Sequence, residues 1–506
     1  MAPPTLRSDT VCCVGGGPAA LFFAHLYLSA TKHTTLRLLE RGCPPGTAAA
    51  ADRQFGFGLG RRALRSLDAV PGLVPEVLRH SAPVRGAHGL QMIARDDMCR
   101  VLTQSLRRRY GRRVSIEYGI QASAVRLGEN RLDAMKLEGP MRTPSTRREY
   151  AYEVLVAADG LHSIIRRQLE AAGHINVEAM ARPFVWKALR LRQTHELDPA
   201  TFMSLRRGDV FGAVLPRPGG GHTILLFWPQ ELTDANSHVM LSTRGVNLSS
   251  NPWGVTCERD LRHELVAAEP RLASGLVDVD LRRFLHTAPG RELAVKCSNL
   301  NVGRVALLGD AAHGMYSTLG QGCACAFNSA EGLAKALASV QASDQPDIPV
   351  VTRSRSLIAS IAPRTGKESW EAALAQYSSS ILPQGHAATD LNLLSHFFYS
   401  KNGLVQRLCR SLPLLHRAPK LEMKTRPFLQ TPLPMSQLSR VQTPSDSGHA
   451  VDAAPQLLFE TRLGAQINDP GSYTELMDAD PIARCALRAL WMIESARGRL
   501  LHASQY

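Results

Sequence analysis

Long uninterrupted apolar runs are missing from this chain. No window of about 18 apolar residues occurs, which excludes an ordinary transmembrane helix. Cysteine pairing signals are missing too. The ten Cys contain no C-x-x-C pair and no metal-ligand spacing, and Cys12 and Cys13 lie in an apolar run where adjacent side chains point to opposite faces. No metal site is therefore expected, and the thiols read as reduced structural residues of a reducing compartment. The first strand begins about ten residues from Met1, so no cleavable targeting segment is expected and the reading is cytoplasmic. Acidic residues are in short supply, with 59 Lys and Arg against 44 Asp and Glu for a formal charge of +15. That balance invites a nucleic-acid partner, but the arginines are scattered. The tightest cluster, Arg107-Arg108-Arg109 with Arg112 and Arg113, has only Tyr110 interleaved. A solvated basic face, or attraction for anionic cofactors and an acidic membrane surface, is the expected meaning, with no nucleic acid bound.

What is present is an ordinary globular composition, 44% hydrophobic and 20% charged over 506 residues, enough for two or three domains around a large core. Thr10 to Val14 reads as a buried strand, followed by Gly15-Gly16-Gly17-Pro18-Ala19-Ala20 and a helix from Leu21 to Ala30. This is G-x-G-x-x-A. Gly15 permits the tight turn, Gly17 lets backbone approach a pyrophosphate, and the small Ala20 lets helix pack on strand. A second strand, Leu36 to Leu39, ends in Glu40, 25 residues after Gly15, where a carboxylate suits a ribose hydroxyl. The complete unit points to an ADP-containing dinucleotide.

Two further strand ends repeat the logic. Tyr152 to Ala158 runs into Asp159-Gly160-Leu161-His162-Ser163-Ile164-Ile165-Arg166, which either reaches a nucleotide or is a plain strand-to-helix turn capped by Ser163. The stretch Gly303 to Gly322, GRVALLGDAAHGMYSTLGQG, holds an apolar strand from Val305 to Leu308, then Gly309-Asp310, then Gly320-Gln321-Gly322 opening a small-residue helix from Cys323 to Leu337. A helix start offers unsatisfied N–H groups and the positive end of a dipole to an anion, and Asp310 suits a ribityl or ribose hydroxyl. Between these lie a loop from Cys43 to Ala51, Gly56-Phe57-Gly58-Leu59-Gly60, a helix from Arg61 to Leu67, and an excursion from Val70 to Gly89 with three Pro and three Gly. A helix opens at Ile93 and runs to Tyr110; Arg95 at its start is either a phosphate or ribose contact or one more surface arginine.

Val185 to Leu191, Val210 to Leu215 and Thr223 to Phe227 are short strands, the last two joined by Pro216-Arg217-Pro218-Gly219-Gly220-Gly221, so an antiparallel sheet separate from the parallel one is expected. Asn251 to Phe284 is helical and charged, Leu293 to Cys297 returns the chain, and Gln341 to Gly366 is polar and irregular. Trp370 to Leu415 is mostly helical, and Arg417 to Pro455 is a linker or surface tail. Pro481 to Leu501 is a basic amphipathic helix that lies on a membrane surface or packs on the body.

Taken in order, G-x-G-x-x-A with Glu40, Arg95, Asp159-Gly160-x-x-Ser163-x-x-Arg166, and Gly309-Asp310-Ala311-Ala312-His313 with Gly320-Gln321-Gly322 resemble the single-component FAD-dependent aromatic hydroxylases. Lys296-Cys297-Ser298, the Leu215 to Pro229 hairpin, and Pro383 to Leu391 with His386-Ala387-Ala388 and Asp390 look most like the kynurenine 3-monooxygenase group, from about residue 10 to 415. The resemblance implies an α/β fold: a Rossmann-like FAD-binding domain with a parallel sheet (8–75, 95–180 and 293–345) and an inserted antiparallel-sheet substrate domain (76–94 and 181–292). A helical C-terminal region (366–416), a linker (417–455) and a helical tail (456–506) complete the expected division. It implies that Gly15, Gly17, Ala20, Glu40 and Arg41 hold the ADP half of FAD. Gly58 and Arg95 would lie along the cofactor, Asp159 near the pyrophosphate and Asp310 at ribityl hydroxyls, with Gly320, Gly322, Cys323 and Ala324 at the flavin edge. The implied activity is monooxygenation of an aromatic small molecule with NAD(P)H and O2; a reductase or epoxidase, or a flavin-binding protein that has lost hydroxylation, are the alternatives. No catalytic side chain is demanded, and His313 reads as a buried, satisfied histidine. The family usually has Pro at Ser317, Asn at Ala324 and acidic residues at Asn328 or Ser329. A Tyr before Arg95 is replaced by Gln91 and Met92, and a carboxylate-binding Arg has only Arg79 or Arg85 as counterparts.

Overall fold

Thr10–Val14, Val154–Ala157 and Val305–Leu307 lie side by side as parallel strands, and every residue in the last two is buried. Unbroken apolar runs of this kind suit a sheet covered on both faces. The computed structural model describes residues 10–47, 56–85, 89–139, 142–232, 251–342, 369–398 and 472–478. The sheet has six strands in the order Asn301–Val302, Val305–Leu307, Val154–Ala157, Thr10–Val14, Thr35–Glu40 and Val114–Tyr118, parallel except for the short first strand. Cys12 pairs with Leu155 and Cys13 with Val156; both thiols are fully buried, and the described cysteines form no disulfide. The helix Pro18–Ala30 covers one face, meeting the helix Gly322–Ala342 through Phe22 and Phe327, whose ring centroids are 4.6 Å apart.

The expected antiparallel sheet is present and larger than anticipated. Its order is Met203–Arg207, Val210–Pro216, His222–Pro229, Val177–Leu191 and Gly290–Cys297. Val210–Pro216 alternates buried and half-buried residues, and a separate core with Val185, Leu189, Trp228, Leu261, Leu281 and Phe284 forms against the helices Glu258–Ala268 and Asp278–His286. The register between Val177–Leu191 and Gly290–Cys297 slips between Ala181 and Val185, a bulge that re-aims the side chains within it.

Several expectations need correction. The excursion after Val70 contains the helix Leu73–Leu78 and the strand Ser81–Pro83, because Gly72 supplies the left-handed backbone (φ 76°) that starts the helix. Ile93 belongs to a strand, Gln91–Ala94, and the helix starts at Arg95. Gly56–Leu59 and Ser81–Pro83 flank that strand in a three-stranded sheet. The helix expected from Cys323 runs Gly322–Ala342, so Gln341 and Ala342 are helical. A further sheet of Ile120–Arg126, Arg131–Glu138 and Thr143–Ala151 was not legible. Its last strand is exposed along seven residues and shows no apolar alternation; Glu149 pairs with Arg126 and Arg131, and Arg147 with Asp133 at 3.0 Å. The helix Trp370–Phe398 carries Pro383 inside it. The expected linker 417–455 and amphipathic helix 481–501 lie outside the described residues. Among the described residues no helix is long and apolar enough to cross a membrane.

The arginine cluster around Tyr110 is internal architecture as much as surface. Arg109 donates to the carbonyl of Pro71 (2.6 Å) and Arg108 pairs with Glu76. Arg113 donates to the carbonyls of Leu28 (3.1 Å), Thr31 (2.6 Å) and Thr34 (3.1 Å), closing the C-terminal end of the helix Pro18–Ala30. Charge-assisted bonds to otherwise unpaired helix carbonyls are strong for hydrogen bonds. Arg113→Ala is therefore expected to lower the unfolding free energy by about 1.5–3 kcal/mol in urea titrations. The exposed neighbour Arg112→Ala should change it by less than about 0.5 kcal/mol. Equal losses at the two positions would contradict this assignment.

Candidate cofactor-binding site

The three parallel strands deliver their C-terminal turns to one edge of the sheet. At the first, the Gly15 N–H donates to the Leu39 carbonyl (2.8 Å) and Ala158 N–H donates to Val14 (2.8 Å), so the turn is stitched to both neighbouring strands. Gly15 has φ 101°, and a Cβ there would stand 2.2 Å from the Ala158 carbonyl oxygen, which no side chain survives. A Cβ on Gly17 would meet the Arg95 guanidinium at 3.3 Å, so the bare turn leaves a cradle with a cation on its rim. Ala20 is fully buried in the helix that follows.

Glu40 closes this cradle. One carboxylate oxygen accepts from the Gly16 N–H at 2.5 Å and the other from the Gly42 N–H. An ionised carboxylate has about four lone-pair sites, so both oxygens keep acceptor capacity for a hydroxyl. Arg41 is exposed; its carbonyl accepts from Arg142, a residue the sequence did not single out, which also bonds Cys43 Sγ at 2.7 Å. Gly58 has a packing reason, since a Cβ there would meet the Leu90 side chain at 2.8 Å.

The second strand end combines both readings of its motif. Ser163 caps the helix Ile164–Ala171 by accepting from the Arg166 N–H (3.0 Å), as a plain turn would. The Arg166 guanidinium is turned inward onto the carbonyls of Leu161 (2.6 Å), Ala311 (3.0 Å) and Asp310 (3.4 Å), bracing the third motif. Asp159 accepts through Oδ2 from the N–H groups of Ile164 (2.8 Å) and Ile165 (3.4 Å), while its buried Oδ1 has no hydrogen-bond partner. A carboxylate oxygen left so is costly unless a ligand or water supplies a donor.

At the third strand end Gly309 adopts φ 65° with a notional Cβ 3.0 Å from the Ala19 methyl, so the first helix and this turn touch. Asp310 follows with an exposed side chain. Surrounding protein pushes its carboxyl upward, with the Arg95 and Arg166 guanidiniums pulling the other way. Because the carboxyl still meets solvent in the open cleft, the upward push acts in full only when a ligand fills that space. Gly320 (φ 64°) turns the chain into the helix Gly322–Ala342, whose first-turn amides at Gly322, Cys323 and Ala324 have no intrahelical acceptor. Burial, then Asp310 and Cys99, push the Cys323 thiol up, so it stays protonated. The cleft thus offers an anion site at Gly15–Gly17 and Arg95, a second at Gly322–Ala324, and carboxylates at Glu40, Asp159 and Asp310.

His313 stays apart from this cleft. It is buried, its Nε2 pairs with Ser329 Oγ (2.6 Å), and Cys325 Sγ lies 3.6 Å from Nδ1. Ser329, where an acidic residue was expected, therefore has a packing role. The other matched stretches also meet: Lys296 pairs with Asp390, and His386 contacts the Cys297 carbonyl at 3.0 Å.

On the far side of the loop, Arg182 in the bulged strand forms a buried ion pair with Glu292 at 2.5 Å and lies within 5.0–5.6 Å of the ring centroids of Phe184, Phe227 and Tyr316. Glu292 also accepts from the Ser317 N–H (3.1 Å), so the missing proline at 317 leaves a donor that this pair uses. Of the two carboxylate-binding counterparts, Arg79 bonds the Pro75 carbonyl and Arg85 is an exposed partner of Asp198. Arg217, in the hairpin loop, lines a small dent in the surface with Gly56, Met92, Ile93, Ala94, Pro216, Pro218 and Thr223. No group of acidic, His or Cys residues able to hold a metal occurs among the described residues.

No family model matches the chain. A curated relative, kynurenine 3-monooxygenase 2 of Aspergillus niger, is 24% identical over 359 residues, covering 62% of this chain and 69% of that protein. Among solved structures, tetrameric 2-methyl-3-hydroxypyridine-5-carboxylic acid oxygenase superposes with TM-score 0.56 at 17% identity, covering 79% of this chain and 94% of the other. The Pseudomonas aeruginosa protein pqsL, described as a probable FAD-dependent monooxygenase, gives 0.53 at 17%, covering 79% and 98%. The chain resembles these proteins in sequence and shares the fold of the solved monooxygenases. The residues of the cleft fit FAD on grounds of their own: a cradle a Cβ would fill, an unpartnered buried Asp159 oxygen and an accessible Asp310.

The buried histidine gives a pH test of this packing. Burial lowers the His313 pKa to about 4, below the ordinary 6.5 of an unfolded chain. Between those values the unfolded state binds a proton that the folded state refuses, so His313 contributes stability above pH 6.5 that is lost as pH falls toward 4, up to about 3 kcal/mol. Urea unfolding at several pH values should show a shallower acid decline for His313→Asn than for the unaltered protein. Parallel declines would contradict the buried, neutral imidazole.

Proposed function

We propose that the chain binds FAD along the strand-end cleft and uses NAD(P)H and O2 to hydroxylate an aromatic small molecule that carries an acid group. The observation that supports this most is the convergence of Gly15–Gly17, Glu40, Arg95, Asp310 and the Gly322 helix start around one accessible cleft. On this reading Gly15, Gly17, Ala20, Glu40 and Arg41 hold the ADP half, with Gly58 and Arg95 alongside. Asp159 would take a donor near the pyrophosphate, Asp310 would accept from ribityl hydroxyls, and Gly320, Gly322, Cys323 and Ala324 would frame the flavin edge. When bound, FAD supplies the redox chemistry, passing electrons from NAD(P)H to O2 and one oxygen atom to the ring.

This chain's residues bind, orient and shield. The helix start at Gly322 favours negative charge on the ligand edge beside it, by a few tenths to about 2 kcal/mol. His313, buried and neutral, is outside the chemistry. We place the substrate between the cofactor cleft and the antiparallel sheet, which supports a division into a FAD-binding unit (8–75, 95–180, 293–345) and a substrate unit (76–94, 181–292). Arg217 in the dent beside Met92 favours an anionic substituent. Burial and the Arg190 charge lower its pKa while the Asp280 and Asp97 charges act the other way, so its guanidinium is a partly buried cation available to such a group. L-Kynurenine, an aromatic amino acid named in the curated relative, meets this requirement and is the leading candidate. A cytoplasmic setting with reduced thiols accords with the free cysteines described.

Purified protein should be yellow, or become so on reconstitution with FAD, and oxidise NADH or NADPH faster with L-kynurenine, giving a product heavier by one oxygen atom. Asp310→Ala should lose flavin. Arg217→Ala should raise KM for the acid substrate by about tenfold or more, with a smaller change in kcat, as loss of one charged hydrogen bond predicts. A colourless protein that cannot be reconstituted would sink the proposal; oxidation indifferent to kynurenine would remove that substrate alone.

A further inference from the structure

The short helix Tyr473–Asp478 belongs to the part of the chain where the sequence offered no motif, yet it packs against the cofactor loop. Ser472 and Glu475 cap each other: the Glu475 N–H donates to Ser472 Oγ (2.9 Å) and the Ser472 N–H to the Glu475 carboxylate (3.2 Å). Tyr473 and Met477 are buried. The segment docks on the helix Trp370–Phe398 through Gln384, which accepts from the Tyr473 N–H (2.9 Å) and donates to Thr474 Oγ1 (2.8 Å).

From that footing the Tyr473 side chain reaches two walls of the cleft. Its hydroxyl donates to Gln321 Oε1 at 3.2 Å, and Gln321 in turn donates through Nε2 to the Leu319 carbonyl at 3.2 Å. Its ring lies under the Arg62 guanidinium, 4.2 Å from centroid to Cζ, and Arg62 stands three residues after the strand Gly56–Leu59. The Leu319 N–H is held by Asn392 of the long helix at 3.2 Å. Gln321 and Tyr473 are almost fully buried, so neither polar end has water to fall back on. Gln321 immediately precedes the amides of Gly322, Cys323 and Ala324, and a shift of the Leu319–Gln321 turn re-aims all three.

We infer that Tyr473 is a positioning residue for the cofactor loop: through Gln321 it fixes the turn that opens the helix Gly322–Ala342, and so sets how well that turn receives the cofactor. The inference rests on reading this turn as part of the FAD site. It makes a segment some 150 residues further along the chain an integral part of the cleft. It also explains why Gln321, a long polar side chain, is buried at a position where the backbone alone needs only a flexible turn.

Two single-atom-scale changes in the full-length protein separate positioning from docking. Tyr473→Phe keeps the buried ring and removes the bond to Gln321; Thr474→Val keeps Tyr473 and removes the bonds of Thr474 Oγ1 to Gln384 and to Ser472 Oγ. Titration of apoprotein with FAD by flavin fluorescence should show affinity weakened about three- to tenfold by Tyr473→Phe, the scale of one hydrogen bond, and within about twofold of the unaltered protein for Thr474→Val. Amide hydrogen exchange of the apoprotein should quicken at residues 319–324 in Tyr473→Phe alone. Equal effects of both variants, or no effect of either, would overturn the inference. If the unaltered protein fails to bind FAD, the functional reading falls, and the exchange at residues 319–324 still decides the link between Tyr473 and the loop.

Discussion

The 2.2 Å that would separate a Cβ at Gly15 from the Ala158 carbonyl is the constraint on which the rest of the site depends. It records how tightly the first strand's turn is pressed against the end of its neighbour. Gly309, against the Ala19 methyl, records the same pressure between the third strand's turn and the first helix. Parallel strands buried on both faces cannot be displaced singly, so these turns are held by a large apolar cluster among the described residues. The outcome is a set of backbone amides, one arginine and three carboxylates brought to a single sheet edge, where open sheets of this kind place their ligands.

Polar braces then fix what the strands deliver. Arg166 carries the second motif onto the carbonyls of Asp310 and Ala311, and Glu40 ties Gly16 to Gly42. On the opposite side Arg182 and Glu292 tie the antiparallel sheet to Ser317. Removing one member of such a buried pair leaves a charge without compensation, so this junction is a fixed point between the cleft and the antiparallel sheet. The departures at Ser317 and Ser329 are thus built into bonded networks, with Glu292 in one case and His313 in the other.

The strand-end motifs were legible in the sequence because the backbone itself dictates residue type there: only glycine tolerates the turn at Gly15, and only a short acceptor caps the helix at Ser163. The hairpin around Pro216 to Gly221 was legible for the same reason. The sheet spanning Ile120–Ala151 was not, since Thr143–Ala151 is an exposed strand held by ion pairs and carries no apolar alternation. Long-range polar partnerships left no local signal at all. Arg182 and Glu292 are 110 residues apart, and Gln321 and Tyr473 are 152 apart, so neither pair could be found without the fold. Arg217 was visible as part of a turn but not as the cation of a surface dent, because the far wall of that dent comes from strands more than a hundred residues earlier.

The central claim is that the three strand ends and the Gly322 helix start together receive one FAD molecule. A crystal structure of the protein grown with FAD tests this most directly. The account predicts electron density for the adenosine end at Gly15–Glu40, for ribityl oxygens within hydrogen-bond reach of Asp310, and for the ring edge at the amides of Gly322–Ala324. Clear density for FAD elsewhere, or a ring system turned away from the Gly322 turn, would contradict it.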